Sequence, residues 1–268
     1  MKKVLTIAGS DSSGGAGIQA DIKSFSANGV FGMSVITAVT AQNTQGVWAV
    51  QDINEDIISK QLAAIFEDIK VAAVKIGMVS RQETIEIVAS DLKKYEARNI
   101  VLDPVMISKS GCALLNPDTC SSLISHLLPL ATIVTPNIPE AEEITGMSIT
   151  NLMQMEQAAN KIHSLGPSYV LLKGGHCQGD ATDILFDGRT FEYFHSPRIA
   201  TKHTHGTGCT LSSAIAANLA HGYTVSQAVQ LAKQYITIAI EHSLAIGKGV
   251  GPVHHFYTLY EKAGMLLE

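Results

Sequence analysis

Short β-rich runs alternate with segments of helical period along this sequence, and this alternation restricts the possible folds more than any other property of the chain. It predicts an α/β protein with a mainly parallel sheet and crossover helices on its faces. In such sheets ligands bind beyond the carboxyl ends of the strands, so functional residues are expected in the loops that follow them. The predicted strands are Val4–Ala8, Ser34–Thr40, Val47–Ile53, Ala72–Ile76, Ile100–Leu102, Thr132–Val134, Tyr169–Leu172, Asp183–Phe186 and Phe191–Phe194.

Local patterns refine this prediction. Asp187-Gly188 between the last two strands is typical of a tight hairpin turn. Apolar residues recur at helical spacing from Ala228 to Ile240, and Gly222 is placed to close the preceding helix. Because no linker, charge run or internal repeat divides the sequence, we predict a single domain over residues 1–268.

Composition excludes several classes of protein. With 46% hydrophobic and 16% charged residues and a net charge of −5, the chain is expected to fold around a large core and not to bind nucleic acid, which requires basic surfaces. The apolar stretches are too short for a secretory signal or a membrane span. Cysteines without a C-x-x-C pair favour a reducing compartment, so we expect a cytoplasmic protein. These cysteines are Cys112, Cys120, Cys177 and Cys209.

The loop Gly9–Gly17 follows the first strand and opens a predicted helix, Ile18–Asn28. Gly15–Ala20 fits G-x-G-x-x-A, so a dinucleotide-dependent oxidoreductase is one hypothesis. Two features count against it, because several residues separate the strand from the motif and Val35–Thr40 ends without a ribose-binding acid. A tight turn without a ligand is the alternative.

A second glycine-containing loop, Thr204–Cys209, precedes another amphipathic helix. The backbone N–H groups of Gly206–Gly208 at a helix N-terminus would form an anion hole suited to a transferring phosphoryl group. Cys209 lies in the first turn, where the helix dipole is expected to lower the pKa of the thiol. The alternatives are a small buried residue, or a hydrolase pairing Cys209 with His205, for which no orienting third residue is evident.

Acidic and basic residues follow three of the predicted strands. Asp103 and Glu140 lie at neighbouring strand ends and suit Mg²⁺ shared with phosphate oxygens, although Glu140 alone would also complement a helix dipole. Lys173 follows Tyr169–Leu172, within reach of a nucleotide phosphate. Its alternative is a surface lysine that extends into solvent.

The segments that carry this chemistry match one family in order. They are Leu5–Asp11, Ser13–Asp21, Ala41–Thr44, Lys75–Met78, Leu102–Met106, Thr135–Ala141, Leu172–His176, Thr204–Thr210 and Gly249–His255. Together they resemble the hydroxymethylpyrimidine/phosphomethylpyrimidine kinases of thiamine biosynthesis, within the ribokinase-like superfamily. The resemblance runs almost end to end, and the ordered set is specific where any single segment is not.

The resemblance implies a three-layer α/β/α sandwich, a homodimer and a kinase that uses ATP and Mg²⁺. Two successive phosphorylations would convert 4-amino-5-hydroxymethyl-2-methylpyrimidine to its monophosphate and then to the pyrophosphate. The nearest alternative is a pyridoxal or pyridoxine kinase of the same superfamily, although Ala41–Thr44 favours the aminopyrimidine. A catalytically inactive binding protein is the least favoured hypothesis.

The resemblance also assigns roles to residues. Gln42 would pair with the amino and ring-nitrogen edge of the pyrimidine, since an amide both donates and accepts hydrogen bonds. Cys209 would be the base that takes the proton of the acceptor hydroxyl, at a position where most ribokinase-like enzymes carry aspartate. The other expected site residues are Gly9, Asp21, Met78 and Val105 for the substrate, Lys173 and Thr207 for the nucleotide, Asp103 and Glu140 for the metal, and Gly206, Thr207 and Gly208 for the transferring phosphoryl group.

Overall fold

The computed structural model describes residues 1–106, 117–174 and 181–266. Two of the four cysteines, Cys112 and Cys177, lie outside the described residues, as does the end of the segment Leu172–His176. The strands are β1 (Lys3–Ala8), β2 (Phe31–Ile36), β3 (Ala38–Asn43), β4 (Gly46–Asp52), β5 (Ala73–Ile76), β6 (Ile100–Leu102), β7 (Ile133–Val134), β8 (Tyr169–Leu172), β9 (Ala181–Phe186) and β10 (Phe191–Ser196). The helices are α1 (Gly17–Ala27), α2 (Glu55–Phe66), α3 (Gln82–Lys94), α4 (Pro117–Ser122), α5 (Ile138–Thr145), α6 (Leu152–His163), α7 (Thr207–His221), α8 (Val225–Glu241) and α9 (Tyr257–Lys262).

Among the described residues, eight strands form one sheet in the order β10-β9-β8-β7-β6-β5-β1-β2. The pairs from β2 to β8 are parallel, whereas β9 and β10 pair antiparallel at one edge. The hairpin expected at Asp187-Gly188 is present, with Gly188 at φ 90°. The predicted mainly parallel sheet is therefore confirmed.

The prediction of one continuous strand over Ser34–Thr40 is wrong. The chain leaves the main sheet at Thr37, whose N–H donates to Ala8 O at 3.0 Å and whose hydroxyl donates to Met78 O at 2.8 Å. Beyond this point β3 pairs antiparallel with β4 in a separate two-stranded sheet. A β-rich run predicts a strand but not its partner, so the sequence pattern did not locate the break.

Helices cover both faces of the main sheet and complete a three-layer sandwich. One face packs against α1, α7 and α8, and the other against α2, α3, α5 and α6. Successive strand residues alternate between the two cores, as Val4 and Leu5 do in β1. Burial on both faces explains why the strand sequences are apolar runs rather than alternating ones.

The ends of two predicted helices follow local sequence signals. The first helix, α1, begins and ends one residue earlier than predicted. Helix α7 ends at Gly222 in the left-handed conformation, with φ 98°, as expected for a glycine cap. Thr224 and Gln227 form a capping box at the start of α8. No helix in the described ranges has both the length and the apolar character needed to span a bilayer.

Candidate active site

The carboxyl ends of the parallel strands and the N-terminus of α7 surround a cavity of about 260 Å³. Most of the residues predicted for the site line this cavity. They are Gly9, Gln42, Met78, Asp103, Val105, Glu140, Lys173, Gly206, Thr207, Gly208 and Cys209. The topology brings them together because each loop leaves the same edge of the sheet.

Asp103 follows β6 and is almost fully buried. Its Oδ1 accepts hydrogen bonds from Lys173 Nζ at 3.2 Å and Thr135 Oγ1 at 3.1 Å, and Ser212 Oγ lies 3.3 Å from Oδ2. Burial raises the pKa of Asp103, but the ammonium groups of Lys173 and Lys75 outweigh it and hold the pKa below its usual value. Asp103 is therefore a carboxylate at neutral pH, paired with a lysine that is itself mostly buried.

Glu140 lies in the first turn of α5. Its carboxylate accepts from the N–H of Asn137 at 2.8 Å, while the Asn137 side chain accepts from the N–H of Glu140. This capping box fixes the carboxyl at the edge of the cavity. Burial, opposed by Lys173 and reinforced by Asp103, raises the pKa of Glu140 to about 7. Ionisation of Glu140 beside the Asp103 carboxylate therefore costs free energy, and a bound cation would reduce that cost.

The predicted anion hole lies at the start of α7. Gly206 precedes the helix in the left-handed conformation, with φ 79°. The first-turn N–H groups that follow have no acceptor within the helix, and that of Thr207 donates to Thr204 O at 3.3 Å. A Cβ on Gly208 would lie 3.6 Å from Lys173 Nζ and 3.5 Å from Asp103 Oδ2. The helix N-terminus therefore approaches the Lys173–Asp103 ion pair at this end of the cavity.

The expectation of a lowered thiol pKa at Cys209 is wrong. Burial, helped by the carboxylates of Asp21 and Asp103, raises the pKa to about 11, and the opposing charge of Lys75 does not compensate. Dipole arguments assume an exposed helix end, whereas this thiol lies among buried groups of both signs. Cys209 is therefore a neutral thiol in the resting protein.

Asp21 was expected to line the substrate pocket, and the structure corrects this. Asp21 is not among the described residues that line the cavity, and its side chain is fully buried beneath it. Its carboxylate pairs with Lys75 at 2.9 Å and accepts from Thr6 Oγ1 and Ser213 Oγ, each at 2.6 Å. A carboxylate on the inner face of α1 takes the nearest buried cation as its partner, so Asp21 supports the site from below.

Asp11 organises the first glycine loop. Its carboxylate accepts from the N–H groups of Ser13 at 2.8 Å, Gly15 at 3.1 Å and Ala16 at 2.8 Å, and from His205 Nε2 at 2.7 Å. Burial would raise the pKa of Asp11, but these hydrogen bonds lower it to about 2. The amides that a dinucleotide pyrophosphate would need are thus occupied, and His205 faces Asp11, which weakens both the oxidoreductase and the hydrolase hypotheses.

The substrate side of the cavity is formed by close backbone packing. A Cβ on Gly9 would lie 2.4 Å from Met78 Cε, so the absence of a side chain at Gly9 lets the flexible end of Met78 lie against this loop. Gln42 follows a β-bulge in β3, and its Oε1 lies 3.3 Å from Thr40 Oγ1. This wall combines apolar groups with one amide.

Sequence reasoning missed three residues of the site. Asp11 and Lys75 belong to the matched segments Leu5–Asp11 and Lys75–Met78 without a predicted role, and His205 is predicted only as a partner for Cys209. Lys75 had a usable signal, because a lysine inside a buried apolar strand needs a buried partner. The Asp11 carboxylate accepts from backbone N–H groups of its own loop, as in an Asx turn. An aspartate within a glycine- and serine-rich loop is therefore a local sequence signal that could have identified this residue.

A model of the family described as phosphomethylpyrimidine kinase matches residues 11–254, which is most of the chain. The chain belongs to this family. A relative, the hydroxymethylpyrimidine/phosphomethylpyrimidine kinase of Rhizobium meliloti, is 54% identical over 261 residues, covering 96% of this chain and 98% of the relative. The resemblance drawn from the ordered motifs is thereby confirmed.

Solved structures agree with this assignment. Phosphomethylpyrimidine kinase from Clostridium difficile is 56% identical, with a TM-score of 0.81 over 90% of this chain and 100% of that one. An ADP complex of Bacillus subtilis pyridoxal kinase is 43% identical, with a TM-score of 0.91 over 97% of this chain and 99% of that one. The family member described here is thus a phosphotransferase with the ribokinase-like sandwich fold.

Proposed function

We propose that this chain is the single-domain kinase that phosphorylates 4-amino-5-hydroxymethyl-2-methylpyrimidine and then its monophosphate to the pyrophosphate. The observation that carries the proposal is one cavity that joins an amide-bearing apolar wall to a helix N-terminus flanked by Lys173 and Asp103. Membership of the phosphomethylpyrimidine kinase family supports the same activity.

The apolar wall would hold the pyrimidine. Gly9, Met78 and Val105 offer apolar surface and backbone to a flat ring, and Gln42 offers one donor and one acceptor to its edge. A ring held in this way directs its hydroxymethyl group toward the start of α7.

ATP would bind at the other end of the cavity. Lys173 and Thr207 would contact its phosphates, while the amides of Gly206, Thr207 and Gly208 would stabilise the charge of the transferring phosphoryl group. Phosphoryl transfer depends mainly on positioning and charge stabilisation, so these groups would carry most of the rate enhancement. A mostly buried lysine provides this charge without a basic surface.

Asp103 and Glu140 fit a divalent cation. The second acid has a pKa raised to about 7, first by burial and also by its acidic neighbour, so a bound cation would relieve an existing electrostatic cost. Two carboxylates with phosphate oxygens are a typical set of Mg²⁺ ligands. When bound, Mg²⁺ would neutralise charge on the nucleotide phosphates.

In the first reaction, the substrate oxygen forms a bond to the γ-phosphorus as the bond to the ADP oxygen breaks. The hydroxyl proton must leave, and Cys209 is the group we assign to accept it. Because the pKa of Cys209 is about 11, about one molecule in ten thousand carries the thiolate at pH 7. A base role therefore predicts a rate that rises with pH.

We further propose a cytoplasmic homodimer. The two-stranded sheet exposes apolar groups, with Val39 48% and Trp48 75% exposed, which suits association with a second copy. This surface lies on the same sheet as Gln42, so association would also buttress the substrate wall.

The proposal is tested by initial rates of ADP release with three acceptors: the pyrimidine alcohol, its monophosphate and pyridoxal. We expect turnover with both pyrimidines, at a higher kcat/KM than with pyridoxal. Asp103→Ala, prepared identically, controls for contaminating kinases. A preference for pyridoxal, which the likeness to a pyridoxal kinase makes the second candidate, would contradict the proposal.

A further inference from the structure

A chain of hydrogen bonds connects Asp11 in the first glycine loop to the Gln42 amide through His205. His205 Nε2 lies 2.7 Å from Asp11 Oδ2 and 3.5 Å from Gln42 Nε2. On its other side, Gln42 Oε1 lies 3.3 Å from Thr40 Oγ1, which donates to Ser10 O at 2.8 Å. The amide that faces the pyrimidine in the proposed function is therefore held between an imidazole and a hydroxyl.

The protonation of the imidazole follows from its partner. Asp11 is a carboxylate that also accepts three backbone N–H groups, so it can only accept from His205. His205 Nε2 must then carry a proton, whether the ring is neutral or charged. Its single hydrogen is directed at Asp11 Oδ2, 2.7 Å away, so a second neighbour 3.5 Å from this nitrogen is matched only if it is an acceptor that shares the same hydrogen.

The hydroxyl at the other side imposes the complementary demand. Thr40 has one hydroxyl hydrogen, and Ser10 O at 2.8 Å is the shorter and hence the stronger acceptor. Toward Gln42 the hydroxyl then offers a lone pair. An amide nitrogen facing Thr40 and an amide oxygen facing His205 satisfy both contacts, whereas the reverse orientation opposes donor to donor at His205. The two ends of an amide have nearly equal shape, so the network decides its orientation.

We propose that His205, held by Asp11, is a positioning residue that fixes the Gln42 amide with Oε1 toward the imidazole and Nε2 toward Thr40, and so sets which edge of the ring the cavity accepts. The inference rests on the proposed role of Gln42. The amide keeps one lone pair and one N–H for the ligand, in a fixed order. Without His205 the Gln42 amide could rotate by 180° and exchange the positions of its oxygen and nitrogen. The preference for a ligand with an amino group beside a ring nitrogen would then fall.

The backbone of His205 has a separate role, which isolates the effect of its side chain. Its N–H donates to Gly251 O at 3.0 Å and its carbonyl accepts from Val253 N–H at 3.3 Å. These bonds survive replacement of the imidazole. His205→Leu removes the donor, while His205→Gln supplies an amide N–H near the position of Nε2.

The test crosses these variants with two ligands, 4-amino-5-hydroxymethyl-2-methylpyrimidine and the analogue lacking the 4-amino group, with Kd measured by calorimetry. We expect the wild-type protein to prefer the amino compound about tenfold, as one matched hydrogen bond allows. The preference should fall below about threefold in His205→Leu and recover in His205→Gln. Thr40→Val, at the other end of the amide, should also reduce it. Affinity for AMP-PCP should change less than about twofold in every variant.

If wild type, His205→Leu and Thr40→Val all prefer the amino compound to the same degree, the inference is overturned and the proposed function stands. If wild type shows no preference between the two ligands, the assignment of the ring edge to Gln42 fails, and this inference fails with it. If His205→Leu does not fold, Thr40→Val and His205→Gln decide the matter. A Thr40→Val variant that prefers the amino compound as strongly as wild type does would contradict a fixed orientation of the Gln42 amide.

Discussion

At the level of single residues, the state of Cys209 is decided by the groups around it rather than by its place on a helix. Its position in the first turn of α7 favours a thiolate, but burial and two carboxylates raise the pKa to about 11. Lys75, whose charge opposes this effect, is already paired with Asp21. A single thiol can thus lie at an anion hole and still be neutral.

This state gives a prediction for pH dependence. If the Cys209 thiolate accepts the proton, kcat should rise about tenfold per pH unit between pH 8 and 9.5, below the thiol pKa of about 11 and above the Glu140 pKa of about 7. Cys209→Ala should lose the slope. Steady-state rates with saturating substrates measure it. A flat profile in the unsubstituted protein would show that Cys209 positions the hydroxyl without accepting its proton.

At the level of elements, the start of α7 depends on contact between two glycine loops. Gly206 has φ 79°, and a Cβ there would lie 1.7 Å from Gly15 O. Gly222, at the other end of the same helix, has φ 98° with open space around it. A side chain would be strained at either position because φ is positive at both. An added Cβ would meet the Gly15 backbone at Gly206 but open space at Gly222.

Alanine substitutions separate these effects. Gly222→Ala should cost about 1–2 kcal/mol of unfolding free energy from strain alone and leave kcat/KM within about twofold. Gly206→Ala should cost more and reduce kcat/KM by at least about a hundredfold, because the anion hole must shift. Urea unfolding and initial rates measure both. Equal losses of activity in the two variants would contradict the account of the α7 terminus.

Sequence patterns predicted elements well where one local signal decides the structure. The Asp187-Gly188 hairpin and the Gly222 cap are set by backbone preferences of a few residues, and the edge-of-sheet site follows from parallel topology. They failed at Thr37, where a long-range hydrogen bond to Met78 ends the strand, and at Asp21, whose partner is distant in sequence. Contacts between residues that are distant in sequence leave no local sequence pattern from which they could be predicted.

At the level of the whole molecule, a buried ion pair joins the layers of the sandwich. Asp21 on α1 bonds Lys75 in β5, Thr6 in β1 and Ser213 on α7. Burial opposes the charged form of Lys75, but Asp21 outweighs it and raises the lysine pKa above its usual value. The layers are thus held in register directly beneath the cavity.

Breaking this pair should destabilise the whole fold. Asp21→Asn leaves the Lys75 ammonium without a countercharge and should lower the unfolding free energy by about 3–5 kcal/mol. Asp56→Asn, which breaks the exposed pair with Lys60 in the first turn of α2, is the control and should lower the unfolding free energy by less than about 1 kcal/mol. Chemical denaturation compares them. A change in Asp21→Asn no larger than in the control would refute the structural role of the pair.

The central claim is that one cavity carries out two successive phosphorylations of an aminopyrimidine alcohol. Mass spectrometry of products formed from ATP, Mg²⁺ and 4-amino-5-hydroxymethyl-2-methylpyrimidine tests it most directly when samples are taken over time. The account predicts a singly phosphorylated pyrimidine that appears first and is then converted to the doubly phosphorylated compound. Product from pyridoxal with none from the pyrimidine would contradict it.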